Sequence, residues 1–331
     1  MTTIIILMCV ALLCCTIYFL SKYLSRSKNI DSRNKFVLIS GCDTGFGHSL
    51  AIELDNQGFN VLAGVYNNQN LKTLADKLSS RANVFLLDIT SQQDIDTTFS
   101  LVKSKTSSLF GLINNAGIAN GGLIDWTSIS TMRQVMDVNF FGHVAMTKTF
   151  LPLLLTEANS RVINMSSSAG YLAAAGACAY SSSKYALEAF SDCLRREMSV
   201  WDLHVSIIEP GFMRTPIIEG MTERMQTLWT NHIDEPTKER WGEAYFSDWL
   251  REGTKLATQT ADDPKKVVDA VCHAMLSSKP RIRYRPGWQS SLFCFPLSMI
   301  PASVTDFLID LGQRKLARPT NVLNRNKNNT N

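Results

Sequence analysis

The chain lacks any large excess of charge: 33 Lys and Arg stand against 29 Asp and Glu, a formal net charge of +4 over 331 residues. The basic side chains are scattered until the C-terminal tail, so no nucleic-acid partner is implied. Metal-ligand spacing is missing as well. Cys9, Cys14 and Cys15 fall in an N-terminal apolar run, and Cys42, Cys178, Cys193, Cys272 and Cys294 are dispersed without a CxxC pair, which reads as reduced packing thiols. His48, His143, His204, His232 and His273 are equally unpaired, so no metal is expected. There is no internal repeat and no low-complexity block inside the body of the chain. With 45% hydrophobic and 19% charged residues, the composition is that of one large globular domain with appendages.

Long uncharged runs are scarce too, with one exception. Thr3 to Leu20, TIIILMCVALLCCTIYFL, has no charged side chain and approaches the ~20 residues that span a hydrocarbon core. The leading MTT has no basic residue and no convincing small-residue cleavage site follows, so a retained anchor over residues 1–21 is favoured over a cleaved signal peptide. Lys22, Arg26, Lys28, Arg33 and Lys35 come directly after it. Residues 22–34 then form a basic linker, and the positive-inside rule places the following domain in the cytosol. Protease added to intact microsomes should digest that domain; full protection would overturn the orientation.

From Lys35 short apolar runs alternate with amphipathic segments. KFVLIS, NVLAGVY, NVFLLDIT, LFGLINNAG, RVINMS and HVSIIEPG read as strands, with helices between them and a last strand at RIRYRPG. The alternation predicts an α/β domain over 35–290, a single doubly wound parallel sheet with helices on both faces. One of these is a long helical stretch expected from about Ser128 to Thr156. After Gly211 the rhythm breaks. Residues 212–260 hold Met213, Met221, Met225, Trp229, Trp241, Phe246 and Trp249 with little β alternation, a helical insertion that is mostly a packed subdomain and that also suits a flap over a greasy ligand. Residues 291–331 are an apolar segment, interrupted by Pro296 and Pro301 and suited to a membrane surface, followed by a polar tail.

Chemistry-bearing residues gather at the ends of these strands. Gly41-Cys42-Asp43-Thr44-Gly45-Phe46-Gly47 lies between the first strand and its helix, where backbone amides and a helix N-terminus can receive a pyrophosphate. Its spacing is GxxxGxG rather than GxGxxG. Asp88 can accept from an adenine amino group or cap the following turn. Tyr180 and Lys184 are four residues apart in a helical pattern, which puts phenol and ammonium on one face, a turn apart. A cation there would pull a phenol that titrates near ~10 toward neutral pH. Ser167, at the end of RVINMS, can hold a substrate oxygen beside that phenol, and strand alternation turns it away from Ser166 and Ser168.

Ser40 with the glycine loop, Asp88, Asn114-Asn115-Ala116-Gly117, Asn139, Ser167, Tyr180-Ser181-Ser182-Ser183-Lys184 and Pro210-Gly211 together resemble the short-chain dehydrogenase/reductase family, in order and at its spacings, from about Lys35 to Gly287. GCDTGFG, FSDCLRREM, EPGFMRTP and RYRPGW look more narrowly like its membrane-associated branch of retinol, hydroxysteroid and 3-hydroxybutyrate dehydrogenases. One departure is Ser40, where the family usually has threonine. The resemblance implies a Rossmann-type fold and a nicotinamide cofactor held by Ser40, Gly41, Asp43, Gly45, Phe46, Gly47, Asp88, Asn115, Ala116, Gly117, Pro210, Gly211 and Thr215. It implies Tyr180 as general acid/base, Lys184 lowering its pKa and binding the nicotinamide ribose, Ser167 on the substrate oxygen and Asn139 holding a relay water. An asparagine merely hydrogen-bonded within its helix is the other reading of Asn139.

The second strand ends at Val65, Tyr66 and Asn67, without an acid for a ribose 2′-hydroxyl and without a cation for a 2′-phosphate. The missing cation and the resemblance of GCDTGFG to NAD-using members favour NAD, with NADP still open. The expected substrate is a lipophilic alcohol, a retinoid or hydroxysteroid, met at an endoplasmic reticulum membrane. A 3-hydroxybutyrate-type enzyme is the runner-up, since Arg214, Arg224, Lys238, Arg240 and Arg251 could receive an anion, and a nucleotide-binding membrane scaffold is the non-enzymatic alternative. The long helices before and around Tyr180 are where the family usually dimerises.

Overall fold

A computed structural model describes residues 28–313 and 316–323, together with Val10, Leu13 and Thr16. The expected anchor over 1–21 and most of the basic linker fall outside the described residues, as do residues 324–331 of the tail. Among the described residues, no helix is long and apolar enough to cross a membrane.

Seven parallel strands form one sheet in the order β3-β2-β1-β4-β5-β6-β7. They are β1 (Phe36–Ile39), β2 (Asn60–Val65), β3 (Asn83–Leu86), β4 (Gly111–Asn114), β5 (Arg161–Met165), β6 (His204–Ile208) and β7 (Arg283–Tyr284). The helices are α1 (Gly45–Asn56), α2 (Asn70–Ala75), α3 (Gln92–Lys105), α4 (Ile129–Met136), α5 (His143–Leu154) and α6 (Cys178–Glu197), then α7 (Pro216–Glu219), α8 (Met221–Asn231), α9 (Glu235–Trp241) and α10 (Glu243–Gln259) in the insertion, and α11 (Lys265–Leu276), α12 (Phe295–Ser298) and α13 (Ala302–Gln313) after it.

The apolar strands are continuous because both sheet faces are covered. Val37, Ile39, Val61 and Ala63 pack with Leu50 and Leu54 of α1 and Val267 and Val271 of α11. Their alternates Leu38, Leu62, Leu112 and Val162 face Ile95 and Val102 of α3, Met146 and Phe150 of α5 and Leu194 of α6, as a period of two requires. Arg161, 1% exposed, donates to the carbonyls of Ala274, Met275 and Ser277. It thereby satisfies backbone acceptors at the C-terminus of α11, where a cation suits the helix dipole. Strand order reverses between β1 and β4, which opens a crevice at the carboxyl edge of the sheet.

The structure departs from the expected elements in four places. The helix expected over 128–156 is α4 and α5 joined by a wide π-helical turn, Asp137–Gly142, a feature that often marks functional sites. Strand β3 ends at Leu86, so Asp88 sits in the turn beyond it. Helix α2 stops at Ala75, short of Ser80, where its sequence NLKTLADKLSS would carry it, and β7 has only two residues. The insertion is helical as expected, and its Met225, Trp229, Ile233, Phe246 and Leu250 form a separate core with Leu123 and Trp126 from the loop after β4. The C-terminal apolar segment breaks into α12 and α13 at Pro301 and leaves Leu292, Phe293, Met299 and Phe307 exposed.

Candidate active site

The glycine loop is built by close approach. Gly41 has a φ of +72°, and a Cβ on it would lie 2.7 Å from Ala116 Cα; a Cβ on Gly47 would lie 2.2 Å from the Gly41 carbonyl oxygen. Both distances are too short for any side chain, so glycine lets the loop close on β4 and lets α1 begin directly behind it. Thr44 precedes α1 without a side-chain cap, so the helix N-terminus presents backbone amides, and a Cβ on Gly45 would have nothing nearer than Pro216 Cδ at 3.9 Å. Such a cradle fits a pyrophosphate. The buried Ser40 hydroxyl accepts from the amides of Asn115 and Ala116 at 3.1 and 3.2 Å, and the Asn115 side chain donates to the carbonyls of Ser40 and Gly41. These bonds tie the ends of β1 and β4 into one wall.

Asp43 reaches out of this loop to the end of β2. Its carboxylate accepts from the amides of Tyr66 and Asn67, both at 2.8 Å, and from the Asn70 side chain at 2.9 Å. An acid is therefore present at the strand end where the linear sequence has none. Asp88 Oδ1 accepts from the Thr90 amide and hydroxyl at 2.8 and 2.7 Å, the turn-capping arrangement that the sequence left open beside an adenine contact.

At the next strand ends, Lys184 and Tyr180 project from the first turns of α6. Lys184, 3% exposed, donates from Nζ to the Met165 carbonyl at 2.7 Å and lies 5.6 Å from the Tyr180 ring centroid. The Ser167 hydroxyl accepts from the Ala169 amide and lies close enough to the Tyr180 phenol to favour its ionised form. Its neighbours are tied elsewhere: the amides of Ser166 and Ser168 donate to the carbonyls of Ile208 and Pro210 at the end of β6. Asn139 sits in the wide turn with 0% exposure. Its side chain accepts from the Ile118 amide and donates to the Ile118 carbonyl and to Ser183. Both amide hydrogens and one lone pair of Oδ1 are thus engaged, which leaves a single acceptor position on that side chain. A Cβ on Gly117 would lie 3.3 Å from Asn139 Oδ1 and 3.9 Å from Lys184 Nζ, which puts this glycine between the two. Pro210, Gly211 and Thr215 follow β6, where a Cβ on Gly211 would meet Gln289 at 2.8 Å.

Burial governs the charges. It lowers Lys184 to about 8, with the nearby Glu188 pulling it back up. The Tyr180 phenol is raised above its ordinary value by burial, against the opposing pull of the nearby Ser167 hydroxyl. The sequence reading expected Lys184 to pull the phenol down. In the structure burial raises the phenol, and the ammonium donates to the Met165 carbonyl. His143, 0% exposed, is lowered to about 3 by burial and by Lys184. It stays neutral, so its Nε2–H donates to the Ala116 carbonyl at 2.8 Å.

Sequence reasoning passed over His143 as an isolated histidine, although it stands four residues after Asn139 on one helical stretch. It also missed Trp126, in the loop after β4, around which the insertion assembles. Trp229, Trp241, Phe246 and Trp249 have ring centroids 5.3 to 5.8 Å from that of Trp126. Trp249 reaches the loop before α6, where a Cβ on Gly176 would lie 2.3 Å from its ring. The flap is thus pinned to the loops after both β4 and β5. Among the described residues, no group of three or more His, Cys, Asp or Glu is arranged to hold a metal.

Comparison with known proteins agrees with this architecture. Residues 35–226 match the family model for short chain dehydrogenases. The chain is 38% identical to retinol dehydrogenase 5 of Mus musculus over 288 residues, 85% of this chain and 90% of that protein. It is 36% identical to 17-beta-hydroxysteroid dehydrogenase type 6 of Bos taurus over 302 residues, 88% and 93% of the two chains. Among solved structures, a short-chain dehydrogenase from Streptomyces avermitilis superposes with a TM-score of 0.67 at 25% identity, covering 85% of this chain and 98% of that one. A member from Burkholderia phymatum in complex with NAD gives a TM-score of 0.68 at 17% identity, covering 88% and 99%, a likeness of fold. With the doubly wound sheet, the glycine loop and the Ser167, Tyr180 and Lys184 cluster in one crevice, the chain belongs to the short-chain dehydrogenase/reductase family, oxidoreductases that act on CH–OH groups with a nicotinamide cofactor.

Proposed function

We propose that the protein is an NAD-dependent dehydrogenase of a lipophilic alcohol, a retinoid or a hydroxysteroid, with Tyr180 as its general acid/base. The observation that carries the reading is the convergence of Tyr180, Ser167 and Lys184 next to the loop on which Trp249 pins the aromatic flap. The bound nicotinamide supplies the hydride acceptor or donor. Ser40, Asn115, Ala116, Gly117 and the glycine loop hold it, with Pro210, Gly211 and Thr215 at its reactive end and Asp88 at the adenine end. Ser167 holds the substrate oxygen and favours the ionised phenol by hydrogen bonding. Tyr180 takes the hydroxyl proton during oxidation and returns it during reduction. Lys184 seats the ribose and passes the proton toward the segment fixed by Asn139.

Asp43 supports NAD. Its carboxylate occupies the end of β2, where it can accept from a ribose hydroxyl and would repel a 2′-phosphate. The flap supports a lipophilic substrate over a small acid, because its cations are already engaged. Arg214 and Arg224 donate to the carbonyls of Ala261 and Ile217, and Lys238, Arg240 and Arg251 pair with Glu235, Asp125 and Asp248. Residues 1–21 anchor the chain, 22–34 link it to the 35–290 domain on the cytosolic face of the endoplasmic reticulum, and the exposed apolar side chains of 291–313 rest on the same membrane. Two chains pair through the α5 and α6 region.

The test is a turnover screen of retinol, steroid alcohols and 3-hydroxybutyrate, each with NAD and with NADP. Oxidation of a retinoid or steroid with NAD is expected. Turnover of 3-hydroxybutyrate alone, or a preference for NADP, would overturn the substrate or the cofactor assignment respectively.

A further inference from the structure

Ser290 lies outside the groups that the proposed chemistry uses, in the segment that follows β7. It is fully buried and sits in a wide π-helical turn, Gln289–Cys294, the same rare geometry that holds Asn139. Its hydroxyl donates to the Glu209 carbonyl at 2.6 Å. From another direction the Tyr171 phenol reaches Ser290 Oγ at 2.6 Å and the Ser290 carbonyl at 3.0 Å. A hydroxyl has one hydrogen, and with that of Ser290 given to Glu209 the Tyr171 O–H is the donor toward Ser290.

The two partners belong to two loops that must stay in register for the chemistry. Tyr171 closes the short turn Ser168–Gly170 that begins at Ser167, and Glu209 stands directly before Pro210 and Gly211, the residues assigned to the nicotinamide end. The Ser168 amide donates to the Pro210 carbonyl at 2.8 Å, and Ser290 joins the same loops at a second point. A Cβ on Gly211 would lie 3.2 Å from the Ser290 amide, so the turn after β6 packs directly on this segment. A parallel strap seats the segment: Arg285 pairs with the Glu209 carboxylate at 2.7 Å and lies 3.6 Å from the centroid of Phe295, whose ring meets Tyr171 edge to face.

We propose that Ser290 is a positioning residue of the active site: one buried hydroxyl, supplied from the C-terminal segment, sets the loop of Ser167 against the turn of Pro210 and Gly211, and so sets the substrate oxygen against the nicotinamide. The inference rests on the reading of Ser167 and Tyr180 as the groups that meet that oxygen.

Ser290→Ala in the full-length protein removes the bridging hydroxyl, while the Arg285 strap keeps the segment seated. With the alcohol that the wild type oxidises fastest in the turnover screen, kcat should fall by about tenfold, because small misplacements of reacting groups are costly. NADH titration should count the same number of sites. The misplacement burdens hydride transfer itself, so the isotope effect on kcat from deuterium at the carbinol carbon should rise. A merely structural contribution would instead lower the number of NADH-binding sites and leave the isotope effect alone. Tyr171→Phe cuts the link from the other loop and should move kcat and the isotope effect in the same directions. Ser291→Ala removes the neighbouring hydroxyl, which donates to the Gly287 carbonyl, and should leave both at wild-type values.

Wild-type kcat in Ser290→Ala, an unchanged isotope effect, or an equal loss in Ser291→Ala would each overturn the inference. Should Ser290→Ala fail to fold, Tyr171→Phe decides. Tyr180→Phe assayed alongside keeps the two levels apart. Turnover in that variant removes the underlying reading, whereas an inactive Tyr180→Phe with wild-type behaviour in Ser290→Ala and Tyr171→Phe removes this inference alone.

Discussion

At the residue scale the site depends on which groups burial allows to be charged. Lys184 is lowered to about 8 and so remains mostly cationic at neutral pH, while His143, beside the same wall, is lowered to about 3 from 6.5. Because the unfolded chain binds a proton at His143 below about pH 6.5 and the folded chain does not until about pH 3, stability falls as the pH drops through that window. The slope is about 1.4 kcal/mol per pH unit for one such group. In His143→Gln, whose amide can still donate to the Ala116 carbonyl, this part of the acid sensitivity should vanish. Denaturant unfolding at pH 7 and pH 5 checks it, and an unchanged difference between the two pH values would refute it. The meeting of Tyr180, Lys184 and Ser167 was legible in the sequence because a helical spacing of four puts the first two on one face and Ser167 ends the neighbouring strand. The raised phenol was not, since desolvation depends on what surrounds a group in space. Asp43 makes the same point: it supplies an acid to the end of β2 from 23 residues upstream, and adjacency in the chain could not show that.

Elements carry the next level of argument. The β-α alternation and the helical insertion were readable because a parallel sheet buried on both faces demands continuous apolar strands. The wide turn at Asp137–Gly142 was not, because its apolar pattern is that of an ordinary helix. Two glycines now test how the elements lock together. In Gly47→Ala the new methyl would meet a backbone carbonyl at 2.2 Å, so both stability and NADH binding should fall, the former by about 1–3 kcal/mol; NADH titration and thermal melts measure the two. Gly176→Ala places a Cβ 2.3 Å from the Trp249 ring at a φ of +84°, which displaces the flap and leaves the glycine loop alone. KM for the lipophilic substrate should rise by roughly tenfold, a loss of about 1.4 kcal/mol of binding, while NADH affinity stays at the wild-type value. Equal losses of both would show that the flap and the cofactor cradle are one unit.

For the whole molecule, the proposed path of a lipophilic substrate would run from a membrane surface past the flap to the cofactor crevice. Residues 289–313 follow β7 in the chain, and their exposed Leu292, Phe293 and Phe307 would suit the membrane surface proposed above. Deletion of residues 1–21 should release the protein from membranes extracted with alkaline carbonate while leaving turnover of a detergent-dispersed alcohol intact; a variant that still pellets would place the anchor elsewhere. The account as a whole turns on the proton carried by Tyr180. Its most direct test is the turnover of Tyr180→Phe with saturating NAD and a retinoid or steroid alcohol, with NADH binding measured by fluorescence on the same sample. The account predicts loss of turnover with NADH binding at wild-type strength, and turnover comparable to wild type in that variant would contradict it.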